Sequence, residues 1–176
     1  MKHLAPDYVY TSQGLVSNQV VSISDEGYID ALTERTSDRE ITETLPGVAL
    51  LPGFVNVHSH VFQRALRGRT HHARSMRDTF WTWRQAMYTE AQRLTPDSLY
   101  EIALQTYREM LAAGYTSVGE FHYVHHQPDG RPYERANSMS EAILQAAHDV
   151  GIRHVLLLTA YARGDFYHPP DELQRR

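Results

Sequence analysis

Two histidines one residue apart, His58-Ser59-His60, follow the apolar run Phe54-Val55-Asn56-Val57. In a strand, positions i and i+2 point to the same face, so both imidazoles would project together from the strand's C-terminal end. Imidazole is a borderline ligand that suits Zn²⁺, and two of them would provide half of a tetrahedral site. The same spacing also fits a surface loop with two histidines, and spacing alone leaves both readings open. The chain has no cysteine, so His, Asp and Glu are the only strong zinc ligands it can offer. Its 11 histidines are the one unusual count, and they direct attention to metal or proton chemistry.

The elements that must position this pair alternate along the chain. Residues 1–50 read as short strands: Tyr8-Val9-Tyr10, Gln19 to Ile23 and Val48 to Leu51, with Gly14, Asp25-Glu26-Gly27 and Pro46-Gly47 as turn signals. A small β-module is expected there. Phe54 to His58 is apolar enough for a buried strand. Residues 78–93 read as a helix that Asp78 or Thr79 could cap. A second helix opens on Thr95-Pro96-Asp97, a cap, a first-turn proline and an acid at the positive end of the dipole. Its apolar face is Leu99, Ile102, Ala103, Tyr107, Met110 and Leu111, and Gly114 stops it. Tyr115 to Phe121 is a second buried strand, followed by a polar loop over 124–137. Ser138-Met139-Ser140-Glu141 reads as a capping box for a helix that Gly151 ends, and Ile152 to Thr159 is a third apolar strand.

That order predicts an α/β fold with parallel strands and helical crossovers. Three strands cannot close a barrel of eight, so either an open layered domain or the first part of a larger one is expected. The chain carries 17 Lys and Arg against 21 Asp and Glu, with no basic stripe, which argues against nucleic acid as a partner. The first residues lack the apolar core of a signal peptide, and the longest apolar run, Val155 to Leu158, is far too short for a membrane span. A cytoplasmic protein with no membrane partner is expected.

Longer strings sharpen the histidine reading. Leu51-Pro52-Gly53-Phe54-Val55-Asn56-Val57-His58-Ser59-His60 resembles the first-strand signature of the amidohydrolase superfamily. Three further strings resemble the formimidoylglutamate deiminase (N-formimino-L-glutamate iminohydrolase) family within it. They are His60-Val61-Phe62-Gln63-Arg64-Ala65, Phe80-Trp81-Thr82-Trp83-Arg84 with Met87-Tyr88, and Glu120-Phe121-His122-Tyr123-Val124-His125-His126.

The resemblance implies a partial (β/α)₈ TIM-type barrel over 51–176 and an N-terminal β-module over 1–50 that forms part of a composite β-sandwich. It implies zinc held by His58 and His60, and substrate contacts from Gln63, Arg84 and Tyr123. A guanidinium is a planar, permanently charged partner for a carboxylate, a tyrosine adds a neutral donor, and a glutamine both donates and accepts. Taken singly, Gln63 also reads as a helix-start polar residue, Arg84 as a guanidinium stacked among aromatics, and Tyr123 as a residue of the barrel rim.

The implied reaction is hydrolysis of the formimino C=N of N-formimino-L-glutamate to N-formyl-L-glutamate and ammonia, in histidine degradation. The implied partners are a small carboxylate-bearing substrate and a second copy in a homodimer. A third ligand histidine, a catalytic histidine and a ligand aspartate are expected on barrel strands beyond Arg176, so the 176-residue chain is expected to be inactive alone. The alternatives are a related zinc deaminase of a purine or adenosyl substrate, and a non-catalytic truncated product or assembly module. Among the other residues, His122 and Glu120 are expected to support the site from behind, Glu120 as an acceptor for an imidazole. His125 and His126 are expected in a loop, His148 on a helix and His154 on a strand. His71, His72 and the arginines 67, 69, 74 and 77 are expected in a solvated or lid-like loop.

Overall fold

The structure is a computed structural model that describes residues 1–38, 40–70, 79–164, 166–170 and 174–176. His71, His72, Arg74, Arg77 and the alternative cap Asp78 lie outside the described residues. The chain divides into two compact units, Met1–Pro52 and Gly53–Arg176.

The first unit is a sheet of β1 (Lys2–Thr11), β2 (Gly14–Ser17), β3 (Gln19–Ile23), β4 (Ile29–Glu34) and β5 (Glu43–Leu50). β1 is long enough for its first half to pair with β3 and its second half with β2, both antiparallel, while β5 pairs with β1 in parallel. Pro46-Gly47, expected as a turn, instead lies inside β5. The β1–β5 register shifts between Pro6 and Tyr8, and Gly47 takes φ 74° there while its N–H donates to Asp7 Oδ2 at 2.7 Å. A bulge with glycine in the left-handed region explains why the strand starts five residues before Val48.

The second unit is α/β. Its parallel sheet has the order β6 (Phe54–Ser59), β7 (Tyr115–His122), β8 (Arg153–Leu158). A short 3₁₀ helix (Val61–Leu66), α1 (Phe80–Ala91) and α2 (Pro96–Ala112) connect β6 to β7, and α3 (Ser138–Val150) connects β7 to β8. Gly53 leads into the sheet where a side chain would not fit: a Cβ there would overlap the Thr116 side chain. The core lies between the helices and one face of the sheet, with Leu99, Tyr107, Val118, Met139 and Ile143 almost fully buried.

The helix starts follow local chemistry. Thr79 caps α1, accepting from Trp81 N at 3.2 Å, while Thr82 Oγ1 accepts from Thr79 N at 2.9 Å. Thr95 and Ser98 form the same reciprocal pair at α2, at 3.2 and 2.8 Å. Thr95→Ala should therefore lower unfolding free energy in urea by about 1 kcal/mol, and Ser98→Ala should show part of the same loss. At α3 the expected capping box does not form. Asn137 is the N-cap with no side-chain bond, Ser138 Oγ donates back to Arg135 O at 2.7 Å, and Glu141 pairs with Arg135 at 2.7 Å. The preceding turn has captured both polar groups that a capping box would use. Gly151 ends α3 at φ 80°, as expected.

One expectation of the sequence fails in an informative way. The three strands are not buried on both faces. Val57 is 78% exposed, and Val55, Val155 and Leu157 are exposed with it. With Ser117 and Gly119 they line an open groove of about 430 Å³ on the face opposite the helices. An apolar run reads as buried on both faces only when something covers the second face. Among the described residues, no helix is long and apolar enough to cross a membrane.

Candidate active site

His58 is the penultimate residue of β6 and His60 the residue just past its end. Their Nε2 atoms lie 3.0 Å apart, with the rings edge to face. The His58 backbone is held by Asn56, whose Oδ1 accepts the His58 N–H at 3.1 Å. His60 Nδ1 lies 2.9 Å from Phe121 O. A carbonyl can only accept, so Nδ1 carries the proton and the Nε2 lone pair faces His58. That is the tautomer a metal-ligating imidazole needs, fixed by the hydrogen bond that commonly orients one. The 3.0 Å separation is close to the roughly 3.3 Å spanned by two nitrogens at zinc-ligand distance in a tetrahedron. The pair therefore fits a divalent cation as two of its ligands. Among the described residues, no group of three His, Cys, Asp or Glu converges to complete such a site.

Beside the pair stands a chain of aromatic and polar side chains. The Tyr123 ring meets that of His60 at 5.4 Å, and its hydroxyl accepts from Gln63 Nε2 at 3.0 Å. Both Gln63 Nε2 and the Tyr123 hydroxyl reach Met87 Sδ, at 3.4 and 3.5 Å. Tyr161, in the segment after β8, packs its ring against Tyr123 at 5.7 Å and accepts a hydrogen bond from the Tyr88 hydroxyl at 3.3 Å. Arg84 donates to that Tyr88 hydroxyl at 3.2 Å, with its guanidinium over the rings of Tyr88 and Trp81. Gln63, Arg84 and Tyr123 are thus joined through Tyr88 and Tyr161. Burial pushes the Tyr123 and Tyr161 hydroxyls up, so both stay neutral donors.

Tyr161 had no local signal in the sequence, because its partners are Tyr88 and Tyr123, 73 and 38 positions away. The arginines nearer the pair are otherwise engaged. Arg64 and Arg67 both bind the Glu109 carboxylate, at 2.7 and 3.1 Å, and Arg69 pairs with Glu90.

Behind the pair lies a buried polar layer. The sequence led to the expectation that Glu120 accepts from an imidazole; instead its Oε1 accepts the Val61 N–H at 2.7 Å. Burial pushes its carboxyl up to about 7, against the opposing effect of hydrogen bonds from Ser59 and Val61. His122 is 1% exposed, and among the described residues its two ring nitrogens have no hydrogen-bond partner. Burial, reinforced by His125 and His154, pushes it down to about 3. His154 sits on β8 with Nε2 2.9 Å from the Tyr107 hydroxyl. His125 and His126 are in the loop after β7, where they meet Thr159 O and Arg175 O at 2.5 and 3.2 Å.

A pH dependence follows from His122. Its folded-state value lies below the unfolded one, so the unfolded chain binds the extra proton as pH falls below about 6.5 and stability is lost toward pH 3. Glu120 acts in the opposite sense between about 4.5 and 7, so the difference between two proteins isolates the histidine. From pH 7 to 5, His122→Leu should gain about 2 kcal/mol relative to the parent. Parallel urea-unfolding curves at the two pH values would contradict this.

The sequence matches the amidohydrolase family over residues 49–175. The chain belongs to the amidohydrolase family. It is 44% identical over 165 residues to the formimidoylglutamate deiminase of Pseudomonas aeruginosa, a match covering 93% of this chain and 36% of that protein. The chain thus spans about a third of the length of this curated relative. Among solved structures, an amidohydrolase from Brucella melitensis is 33% identical with a TM-score of 0.91, covering 100% of this chain and 39% of that one. An atrazine chlorohydrolase variant from Arthrobacter aurescens, complexed with zinc and atraton, is 25% identical with a TM-score of 0.74, covering 93% and 37%. In this amidohydrolase-family chain, the histidine pair and the Tyr123 rim both lie at the C-terminal ends of parallel strands, where α/β folds of this kind gather their sites.

Proposed function

We propose that this chain supplies the histidine pair and the substrate-recognising rim of a zinc-dependent iminohydrolase acting on N-formimino-L-glutamate. The observation that carries the reading is the hydrogen-bonded and stacked chain from His60 through Tyr123 and Tyr161 to Tyr88 and Arg84. It sets a permanent cation and neutral donors beside a pair of imidazoles shaped for a metal. The 44% identity to a formimidoylglutamate deiminase supports the same substrate. Parallel β6, β7 and β8 with helical crossovers support reading Gly53–Arg176 as the first part of a (β/α)₈ barrel.

His58 and His60 would hold the zinc, which when bound supplies a Lewis acid that brings the pKa of water toward neutrality. Arg84, backed by the Tyr88 hydroxyl and the Trp81 face, would bind a substrate carboxylate with two N–H groups. Gln63 and Tyr123 would fix the remaining polar end, since each keeps hydrogen-bonding capacity beyond the bond they share. Held in this way, the formimino carbon is turned toward the histidines, and hydrolysis of its C=N gives N-formyl-L-glutamate and ammonia.

Residues 1–176 alone, assayed with zinc and formiminoglutamate, should show no turnover, because catalytic zinc ordinarily needs three protein ligands. Exchanged for the matching segment of the Pseudomonas aeruginosa deiminase, the same residues should support hydrolysis of formiminoglutamate and leave adenosine and other purine nucleosides untouched. Purine or adenosyl deamination by the chimera would replace this reading with the nucleoside one. A folded, zinc-loaded chimera inert to the whole panel would favour a non-catalytic role.

A further inference from the structure

Glu120 is a carboxyl group with 0% exposure on β7. It stands opposite Ser59 in the β6–β7 ladder. Its Oε1 accepts the Val61 N–H at 2.7 Å, and among the described residues its Oε2 is buried without a hydrogen-bond partner. Ser59 and Val61 bracket His60, and Ser59 directly follows His58. The pairing of β6 with β7 is irregular between Asn56 and Ser59, so ladder bonds alone do not fix the backbone that carries the two rings. A carboxyl without solvent is costly unless it is hydrogen-bonded. An apolar side chain would fill the space at less cost, as Val118 does two residues earlier in the same buried layer. The hydrogen bond of Glu120 goes to the one stretch of backbone that aims both imidazoles.

We infer that Glu120 is a positioning residue, clamping the Ser59–Val61 backbone so that the Nε2 atoms of His58 and His60 converge. The inference rests on the reading of these histidines as metal ligands. β7 grips the segment twice, at consecutive residues: Glu120 holds the backbone just after His60 through the Val61 N–H, and Phe121 O holds its ring through Nδ1. The two grips act together only if the 3₁₀ helix starts at Val61 and the ring reaches Phe121 in the same conformation.

The test uses histidine side-chain ¹⁵N spectra of the 176-residue chain, first without metal and then on titration with zinc. Glu120→Gln keeps an acceptor for the Val61 N–H and should retain both the Nδ1–H tautomer of His60 and the parent zinc affinity. Glu120→Leu keeps the volume without the acceptor, and should mix the His60 tautomers and weaken zinc binding about 10–100-fold. Val118→Ala sets the level expected from lost packing alone, and should change neither quantity. If Glu120→Leu behaves as Val118→Ala does, the positioning role is overturned. If it does not fold, Glu120→Met, which likewise lacks a carboxylate acceptor for the Val61 N–H, should weaken zinc binding in the same direction; unchanged affinity there overturns the inference. Should the parent's His58 and His60 nitrogens ignore zinc, the ligand reading fails by itself, and the metal-free tautomers still decide the clamp.

Discussion

His60→Ala, made in the chimera with the Pseudomonas aeruginosa deiminase, should lower kcat/KM for formiminoglutamate by about 10³-fold or more. The substitution would remove a proposed zinc ligand, the ring whose Nδ1–H is tied to Phe121 O. A catalytic metal contributes several kcal/mol of transition-state stabilisation, and each 1.36 kcal/mol is tenfold in rate. His60 is only half-buried, so the unfolding midpoint of the metal-free protein should barely move, and zinc content by metal analysis should fall in parallel with activity. Activity that survives at parent level with the zinc gone would remove the pair from the chemistry. His58→Ala should give a similar result, since the two Nε2 atoms face each other at 3.0 Å.

The second large effect is at Arg84. Arg84→Ala in the same chimera should cost about 10–100-fold in kcat/KM, the range for losing a charged hydrogen-bonded partner. Arg84→Lys should recover little of it, because an ammonium has neither the planar fork nor the stacking surface that Trp81 and Tyr88 face. The decisive comparison is a formimino substrate whose side-chain carboxylate is replaced by an amide. If Arg84 binds that carboxylate, the parent and Arg84→Ala should treat the amide alike. An equal loss on both substrates would assign Arg84 to the structure of α1 instead, and the α-carboxylate analogue completes the comparison.

How much of this was legible in the sequence depended on the range of the interactions. Local ones read well: the Thr95 cap, the Gly151 stop and the projection of two histidines from one strand end each need only a few neighbouring residues. The same locality misled at Ser138-Met139-Ser140-Glu141, where the pattern was present but the preceding Arg135 took both polar groups. Interactions across the fold were not legible. Glu120 meets Val61 across 59 positions, and Tyr161 meets Tyr88 across 73. No periodicity encodes such pairs, since they exist only once β6, β7 and β8 lie side by side. The strings around Gln63, Arg84 and Tyr123 marked those residues by resemblance alone, and their linkage through Tyr88 and Tyr161 exists only in the folded chain. Burial was misjudged for a physical reason as well. Val55, Val57 and Val155 have the composition of strands covered on both faces, while three strands with helices on one side leave the other open.

His58 and His60 are proposed to ligate one metal ion. X-ray diffraction from zinc-soaked crystals, recorded on both sides of the zinc absorption edge, tests this most directly. One strong anomalous peak is expected about 2.0–2.1 Å from the Nε2 atoms of both histidines. A peak seated instead on His125 and His126, with the His58–His60 pair left bare, would contradict it.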